Sequence, residues 1–476
     1  MKSLIRSFVN LFLLLISLFI STASFATLPP TLEAVVKRYK IPLNEVSIIV
    51  QEVSDSKALL AFNPSQPRNP ASTIKLLTTW AALEHLGPTW TWPTEVYLEG
   101  ELRNGILKGD LLLKGYGDPY FITERLWNLQ RELKKRGLQN INGNLIIDNS
   151  YFSNEYIDPN AFDNRGLRAY NANPSALLVN FQAIRLEFLP NKLLNSVKVF
   201  IDPKPSNLLV EKRLKLKKGL CGGYQNGVNV ALSDAKSRNK IILSGRYGSE
   251  CDLYSLNRSV LSAPEFAFGV FHSLWEESGG RIKGNWELGT VLEGKDYFLR
   301  VESPPLSYII TYINKFSNNV MAKNLFLTLG AEMEGNPGSF EKARSALKNI
   351  LDKKGLRFPE LFLDNGSGLS RQTRIAASSI SKLLIAATQS PWEAEFVSSL
   401  SLSGLDGTLT KRFEDDILTG RMHLKTGRLS DVSSLAGYVH SRSGKDFAVV
   451  LLQNYSNADQ VGEVLQAELM RWVYEQ

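Results

Sequence analysis

The sequence predicts an α/β protein: an antiparallel sheet flanked by helices, with a β-rich block inserted into it. Three observations lead there. Strand patterns occur near both ends of the chain, at 46–53 and 58–62 and again at 422–425, 432–441 and 447–453. Helical patterns at 264–278, 304–315, 318–329, 340–354 and 376–388 lie between them, with another at 459–474. From about 91 to 260 the texture changes to short β-like runs separated by turns, at 101–113, 141–147, 197–201, 228–232 and 241–243. The economical arrangement joins the terminal strands into one antiparallel sheet, packs the helices around it and leaves the β-rich block as an excursion.

Taken in order, the chain opens with a leader. Lys2 and Arg6 give a positive start, 8–20 is almost wholly apolar, and Ser24-Phe25-Ala26 places small residues where a signal peptidase reads. The apolar run falls short of the ~20 residues that span a bilayer comfortably. An uncleaved anchor is the alternative, and the small-residue site argues against it. Export is therefore expected, with 1–26 as signal peptide. A short helix at 31–39 and a hairpin at 46–62 follow, the turn falling at Ser54 to Lys57. Pro64, Pro67 and Pro70 punctuate an extended loop, and a helix at 72–86 stops at Gly87-Pro88. At 476 residues the chain is too long for one ordinary domain. The expected division is a host built from 27–90 and 262–476, with an inserted β-rich region at 91–261 that forms two subdomains.

Composition narrows the function classes. Without Lys2 and Arg6 the chain holds 53 basic and 47 acidic residues, a net of +6. That is mildly basic, and it lacks the dense Lys/Arg stripe of a nucleic-acid binder. An anionic polymer or the periphery of a membrane suits such a charge, as does solubility alone. The two cysteines, Cys221 and Cys251, are expected to form a disulfide in an oxidising compartment. His85, His272, His423 and His440 show no zinc-ligand spacing, so neither metal nor cofactor is expected.

Three motifs carry chemistry. Ser-x-x-Lys occurs seven times, at Ser54, Ser72, Ser233, Ser237, Ser339, Ser345 and Ser379. Only Ser72 begins a helix directly after Pro70-Ala71. There Ser72 and Lys75 share one face, and the helix N-terminus favours developing negative charge. A lysine of depressed pKa in that setting serves as general base. An N-capping serine with a solvated lysine satisfies the pattern equally well. Ser-x-Asn occurs at Ser237, Ser255 and Ser317. Ser317-Asn318-Asn319 lies between two helices, where Ser317 can relay a proton and Asn319 can hold a carbonyl, or the same residues can cap a helix. Lys425-Thr426-Gly427 occurs once, on a strand. Lys425 and Thr426 facing a groove suit a carboxylate, Gly427 admits close backbone approach, and the N–H of Arg428 can join that of Ser72 in an oxyanion hole. A surface lysine before a turn is the plain alternative. The order of the three, each on the element its chemistry needs, selects an acyl-transfer enzyme.

With these residues placed, the chain resembles the D-alanyl-D-alanine carboxypeptidase/endopeptidase family, the class C low-molecular-mass penicillin-binding proteins. The likeness extends to LKGYGDP at 113–119, YNANPSA at 170–176, DNGSGLSR at 364–371 and GLDGTL at 404–409. It implies a DD-peptidase/β-lactamase-like core with two domains inserted between the first two motifs, which stand at 72 and 317. It further implies an acyl-enzyme on Ser72, Lys75 as proton acceptor, Ser317 and Asn319 completing the relay, and Lys425 holding the substrate carboxylate. The implied substrates are peptidoglycan stem peptides in the periplasm, with β-lactams as inhibitors. By the same resemblance Asp148 and Arg371 help bind a diaminopimelate side chain. Arg428 departs from the family's small hydroxyl residue; either it forms with Lys425 a two-point clamp on a terminal carboxylate or it simply points to solvent. A β-lactamase of the same fold and a non-catalytic cell-wall binding protein are the competing readings.

Overall fold

The strand Val46–Glu52 starts with five consecutive buried residues, the mark of a strand covered on both faces. In the computed structural model, which describes residues 27–155, 157–222, 227–234 and 239–476, it lies inside a six-stranded sheet. The order is Ser401–Leu402, Met422–Leu429, Val432–His440, Asp446–Asn454, Val46–Glu52, Ala58–Phe62, and every neighbouring pair is antiparallel. The terminal strands thus share one sheet, as the sequence predicts. The leader, and parts of the Ser-x-x-Lys patterns at Ser233 and Ser237, lie outside the described residues.

Helices cover both faces. On one side Leu32 and Val36 of Pro30–Tyr39 pack with Leu465 and Leu469 of Ala458–Tyr474. On the other lie Lys75–Leu86, Leu306–Lys315, Asn319–Glu334, Phe340–Lys353 and Ala377–Thr388. The Asn319–Glu334 helix is central: it is buried from Asn319 through Ala331.

The insertion differs from expectation in three ways. Its run at 101–113 is a hairpin of Pro93–Arg103 and Ile106–Gly115, turned at Asn104 (φ 49°) and Gly105 (φ 81°), the pair of positive φ values that matches strand twist. It contains a helix, Thr123–Lys135. It also ends later than 261. Leu299–Glu302 pairs with Pro93–Arg103, Arg281–Ile282 with Asn140–Ile141, and Trp286–Leu288 with Leu145–Asp148. Phe266, Phe271 and Trp275 of Ala263–Glu277 join the same apolar core as Val96 and Leu111. Residues 263–302, expected in the host, therefore belong to the inserted lobe. Two three-stranded sheets complete it, one from Ile184–Asn191, Ser196–Asp202 and Tyr254–Arg258, the other from Leu209–Lys217, Val228–Leu232 and Lys240–Gly248. They share one core with the larger sheet rather than forming a second.

Cys221 and Cys251 are joined as a disulfide across 30 residues of this lobe. Free-thiol titration of denatured, unreduced protein should find none, and Cys221→Ser should lower stability by about 3 kcal/mol. Two titratable thiols would contradict the bridge.

Candidate active site

Ser72 stands in a 3-10 turn, Ala71–Ile74, that runs into the Lys75–Leu86 helix. The predicted helix at 72–86 thus begins as a tighter turn. Asn69 pins it: its Oδ1 accepts from the Ala71 N–H at 2.9 Å and its Nδ2 donates to the Ser370 carbonyl at 2.8 Å. The Asn454 side chain bonds both the N–H and the carbonyl of Asn69, at 2.7 and 2.9 Å. The turn is fastened to the sheet and to the 364–371 loop before any catalytic side chain is considered.

Lys75 is fully buried. Its Nζ bonds Ser72 Oγ at 2.9 Å, Asn319 Oδ1 at 2.7 Å and the Ser367 carbonyl. Burial, with Lys425 and Lys323 nearby, holds this amine well below the ordinary lysine value of 10.5. A neutral amine has two hydrogens and one lone pair. Two carbonyl acceptors take the hydrogens, and the lone pair is left for the Ser72 hydroxyl.

Ser317 has φ 56°, a left-handed conformation costly for a residue with a Cβ. It turns the chain between two helices and brings Oγ within 2.9 Å of Lys425 Nζ. Helix capping falls to Asn318, whose side chain accepts from the N–H groups of Val320 and Met321, so Ser317 and Asn319 remain available to the site. Asn319 Nδ2 makes a long 3.4 Å bond to the Tyr170 carbonyl of the insertion.

Lys425 is also fully buried and bonds the Thr426 carbonyl at 2.7 Å; burial pushes its pKa down to about 7. Gly427 lies against the nucleophile turn, where an added Cβ would stand 2.2 Å from Ser434 Oγ, 2.6 Å from the Pro70 carbonyl and 2.9 Å from Ser72 N. Thr426 Oγ1 donates to Thr408 Oγ1 at 2.9 Å, and Asp406 pairs with Lys315. The 404–409 segment therefore braces the Lys-Thr-Gly strand against the residues leading to Ser317.

These groups open on a cleft of about 850 Å³ whose lining includes Ser72, Ser317, Asn319, Tyr170, Asp163, Arg371 and Arg428. Arg371 lies 4.6 Å over the Phe162 ring and bonds Asp431 at 2.6 Å. Two expectations are corrected. Asp148 is wholly buried; its oxygens accept from the N–H groups of Ser150 and Val291, at 2.8 and 2.9 Å, and it is not part of the cleft wall. The wall carries two other carboxylates: Asp459, which faces Arg428, and Asp163, which accepts from Tyr170 Oη at 2.7 Å and Asn171 Nδ2 at 2.8 Å. Asp163 sits in an irregular segment where no periodicity marks it. Nor does Arg428 form a clamp with Lys425. The two leave opposite faces of the strand, and Arg428, 62% exposed, faces Asp459 and Glu463 of the C-terminal helix at 3.9 Å each.

Sequence reasoning also missed Lys323. It is buried on the central helix, bonds the Ala172 carbonyl at 3.2 Å and is pushed by burial to a pKa of about 8. It and Ser367 lie within segments that resemble the family, but no spacing assigned either a role.

A two-faced antiparallel sheet with a Ser–Lys pair on a helix end against a Lys-Thr-Gly strand defines the class of serine DD-peptidases. The chain belongs to the D-Ala-D-Ala carboxypeptidase 3 (S13) family, whose model matches residues 28–476. It is 25% identical to the D-alanyl-D-alanine carboxypeptidase DacB of Haemophilus influenzae over 432 residues, 90% of this chain and 89% of that one. To the D-alanyl-D-alanine carboxypeptidase of Actinomadura sp. strain R39 it is 28% identical over 411 residues, 84% and 76% of the two chains. Among solved structures, penicillin binding protein 4 of Haemophilus influenzae superposes with a TM-score of 0.78 at 24% identity, covering 94% of this chain and 99% of that one. A predatory endopeptidase from Bdellovibrio bacteriovorus, in complex with an immunity protein, superposes at 0.52 and 17% identity, covering 90% and 92%.

Gly427→Ala tests the contact that sets the Lys-Thr-Gly strand against Ser72. Overpacking there should cost about 1–3 kcal/mol of stability and slow penicillin acylation by more than roughly tenfold. Unchanged acylation would show that the strand does not position the nucleophile.

Proposed function

We propose that this protein cleaves the terminal D-Ala-D-Ala bond of peptidoglycan stem peptides through an acyl-enzyme on Ser72. The observation that carries the reading is the buried Lys75 amine, 2.9 Å from Ser72 Oγ and depressed in pKa. Ser72 Oγ attacks the carbonyl carbon of the penultimate D-alanine and passes its proton to Lys75 Nζ. The backbone N–H groups of Ser72 and Arg428 hold the oxyanion. When the C–N bond breaks, the proton travels from Lys75 to the leaving amine by way of Ser317 Oγ, and water later releases the acyl group with the same groups in reverse. Lys425 binds the terminal carboxylate, with Thr426 beside it. Asn319 orients Lys75 and the acyl chain. Asp163 and Arg371 offer opposite charges to a stem-peptide side chain that ends in both an amine and a carboxylate.

The neighbour that is an endopeptidase supports a second use of the cleft, on D-Ala cross-links. Arg428 is already engaged by two carboxylates, so nothing at that position selects a free terminus over an amide. Residues 1–26 fit an export signal, which places the mature enzyme in the periplasm with its substrate. Among the described residues no helix is long and apolar enough to cross a membrane. The relatives' names, which include penicillin-binding and penicillin-sensitive proteins, support reaction with β-lactams.

Intact mass after incubation with a β-lactam should rise by one equivalent, and peptide mapping should place it on Ser72. Ser72→Ala should abolish the adduct while circular dichroism stays unchanged; label on another serine would overturn the assignment. Slow loss of the adduct separates a DD-peptidase from a β-lactamase.

The two lysines also set a pH profile. Lys75 acts as base only when neutral, so activity is lost as pH falls through its pKa. Lys425 binds a carboxylate only when charged, so kcat/KM should decline as pH rises through about 7. In kcat the basic limb should move upward, because bound carboxylate stabilises the ammonium form. A basic limb at the same pH in both parameters would remove Lys425 from carboxylate binding.

A further inference from the structure

A row of aromatic rings leads away from Ser317 and has no part in the acyl-transfer chemistry. Phe316, the residue before Ser317, is 61% exposed, and Tyr308 is 43% exposed. With Tyr312 they stand at four-residue intervals along the Leu306–Lys315 helix and its C-cap, a spacing that aligns them on one face. Ring centroids are 5.2 Å apart from Tyr308 to Tyr312 and 5.5 Å apart from Tyr312 to Phe316. Tyr120 joins from the inserted lobe, 4.6 Å from Tyr312, and Phe181 extends the row 6.1 Å beyond Tyr120.

Phe181 is held there against its backbone preference. Asn180, Phe181 and Gln182 have φ of 45°, 57° and 55°, three successive left-handed residues of a kind that persists only where surroundings enforce it. The enforcement is visible: Asn180 Nδ2 donates to the Ala183 carbonyl at 2.9 Å and Gln182 Nε2 to that of Leu261 at 2.5 Å.

The row's chemistry selects its occupant. It is built of aromatic rather than branched aliphatic side chains, tilted on one another by 45° and 39° along the helix and met edge-on by Tyr120 at Tyr308, and the hydroxyls of Tyr308 and Tyr312 meet at 3.0 Å. Such a surface is apolar in the middle and polar at the rim, as is the face of a pyranose ring. Phe316 and Tyr308 are its exposed members, while Tyr312, Tyr120 and Phe181 are half-buried against the host core; exposed aromatic surface marks a binding site, and Phe316 adjoins Ser317 of the cleft wall, so a ligand on these rings can continue into the cleft. We propose that the row from Phe316 to Phe181 is a platform on which sugar rings of the glycan strand stack while a stem peptide of that strand occupies the cleft. This rests on the peptidase function proposed above, which supplies the polymer.

The test compares a free pentapeptide with polymeric peptidoglycan carrying the same peptide. Tyr308→Ala should lower kcat/KM on the polymer roughly fivefold, the loss of one aromatic contact, and leave the free peptide within twofold; Tyr308→Phe should restore the polymer value. Equal loss on both substrates, or none on either, would overturn the platform. A second arm needs no catalysis: insoluble glycan stripped of its peptides should retain the Ser72→Ala protein and fail to retain the Ser72→Ala/Tyr308→Ala protein. Retention of both would overturn the proposal. If wild-type enzyme fails to cleave the free pentapeptide, the peptidase reading falls, while selective retention on bare glycan still upholds the platform. A change in sedimentation mass on Tyr308→Ala, without change in glycan retention, would assign the row to a second copy of the chain and overturn it.

Discussion

On the proposed mechanism Lys75 can take the Ser72 proton only from its neutral form, and burial with Lys425 and Lys323 nearby favours that form. Lys75, Lys323 and Lys425 are all buried around one site. Three ammonium groups brought together out of water would repel one another and forfeit their hydration. Burial lowers the pKa of all three, to about 8 for Lys323 and about 7 for Lys425, and Lys75, which also feels the other two, is held well below its ordinary value. Lys425 keeps its proton most readily when a carboxylate arrives. On the proposed mechanism substrate binding and base activation are therefore linked through charge, because a proton on Lys425 discourages one on Lys75.

Holding those amines in place requires both lobes. The central Asn319–Glu334 helix is bonded to the insertion along its length. Asn319 reaches the Tyr170 carbonyl and Lys323 that of Ala172. Asn324 Nδ2 donates to the carbonyls of Gly117 and Ser175, and its Oδ1 accepts from the Ser175 N–H. Trp92 Nε1 donates to Thr328 Oγ1 at 3.0 Å. The two family-like segments of the insertion, at 113–119 and 170–176, thus act as a splint for the helix that carries Asn319 and Lys323. The insertion is structurally part of the active site, and its own apolar core, closed by residues up to Leu299, keeps that splint rigid.

Several misjudgements at the sequence level have a common origin. The boundary at 262 followed the onset of a strong helical pattern, yet Ala263–Glu277 buries its apolar face against the insertion's strands. Periodicity reports that a face is buried and is silent about the partner. Asp148 was chosen by local likeness, but as the last residue of Leu145–Asp148 its carboxylate is consumed by nearby backbone N–H groups. Asp163 escaped notice because irregular chain carries no repeat. A clamp of Arg428 with Lys425 follows from the Arg428 N–H lying beside the oxyanion; strand alternation separates the two side chains, and Asp459 and Glu463, some thirty residues on, draw the guanidinium away.

By itself the sequence determined the class of fold, the shared terminal sheet, the disulfide pair and the order of the three motifs. Each of these is encoded in local pattern: apolar periodicity, turn residues, two cysteines with no other partner, and short strings whose residue types suit one chemistry. Tertiary structure alone decided where the insertion ends, which carboxylates line the cleft and why the Lys75 pKa is depressed. The physical reason is that burial and charge proximity are sums over residues far apart in the chain. Lys75 owes its depressed pKa to burial and to Lys425 and Lys323, about 350 and 248 residues further along the chain, and only the folded chain brings them together.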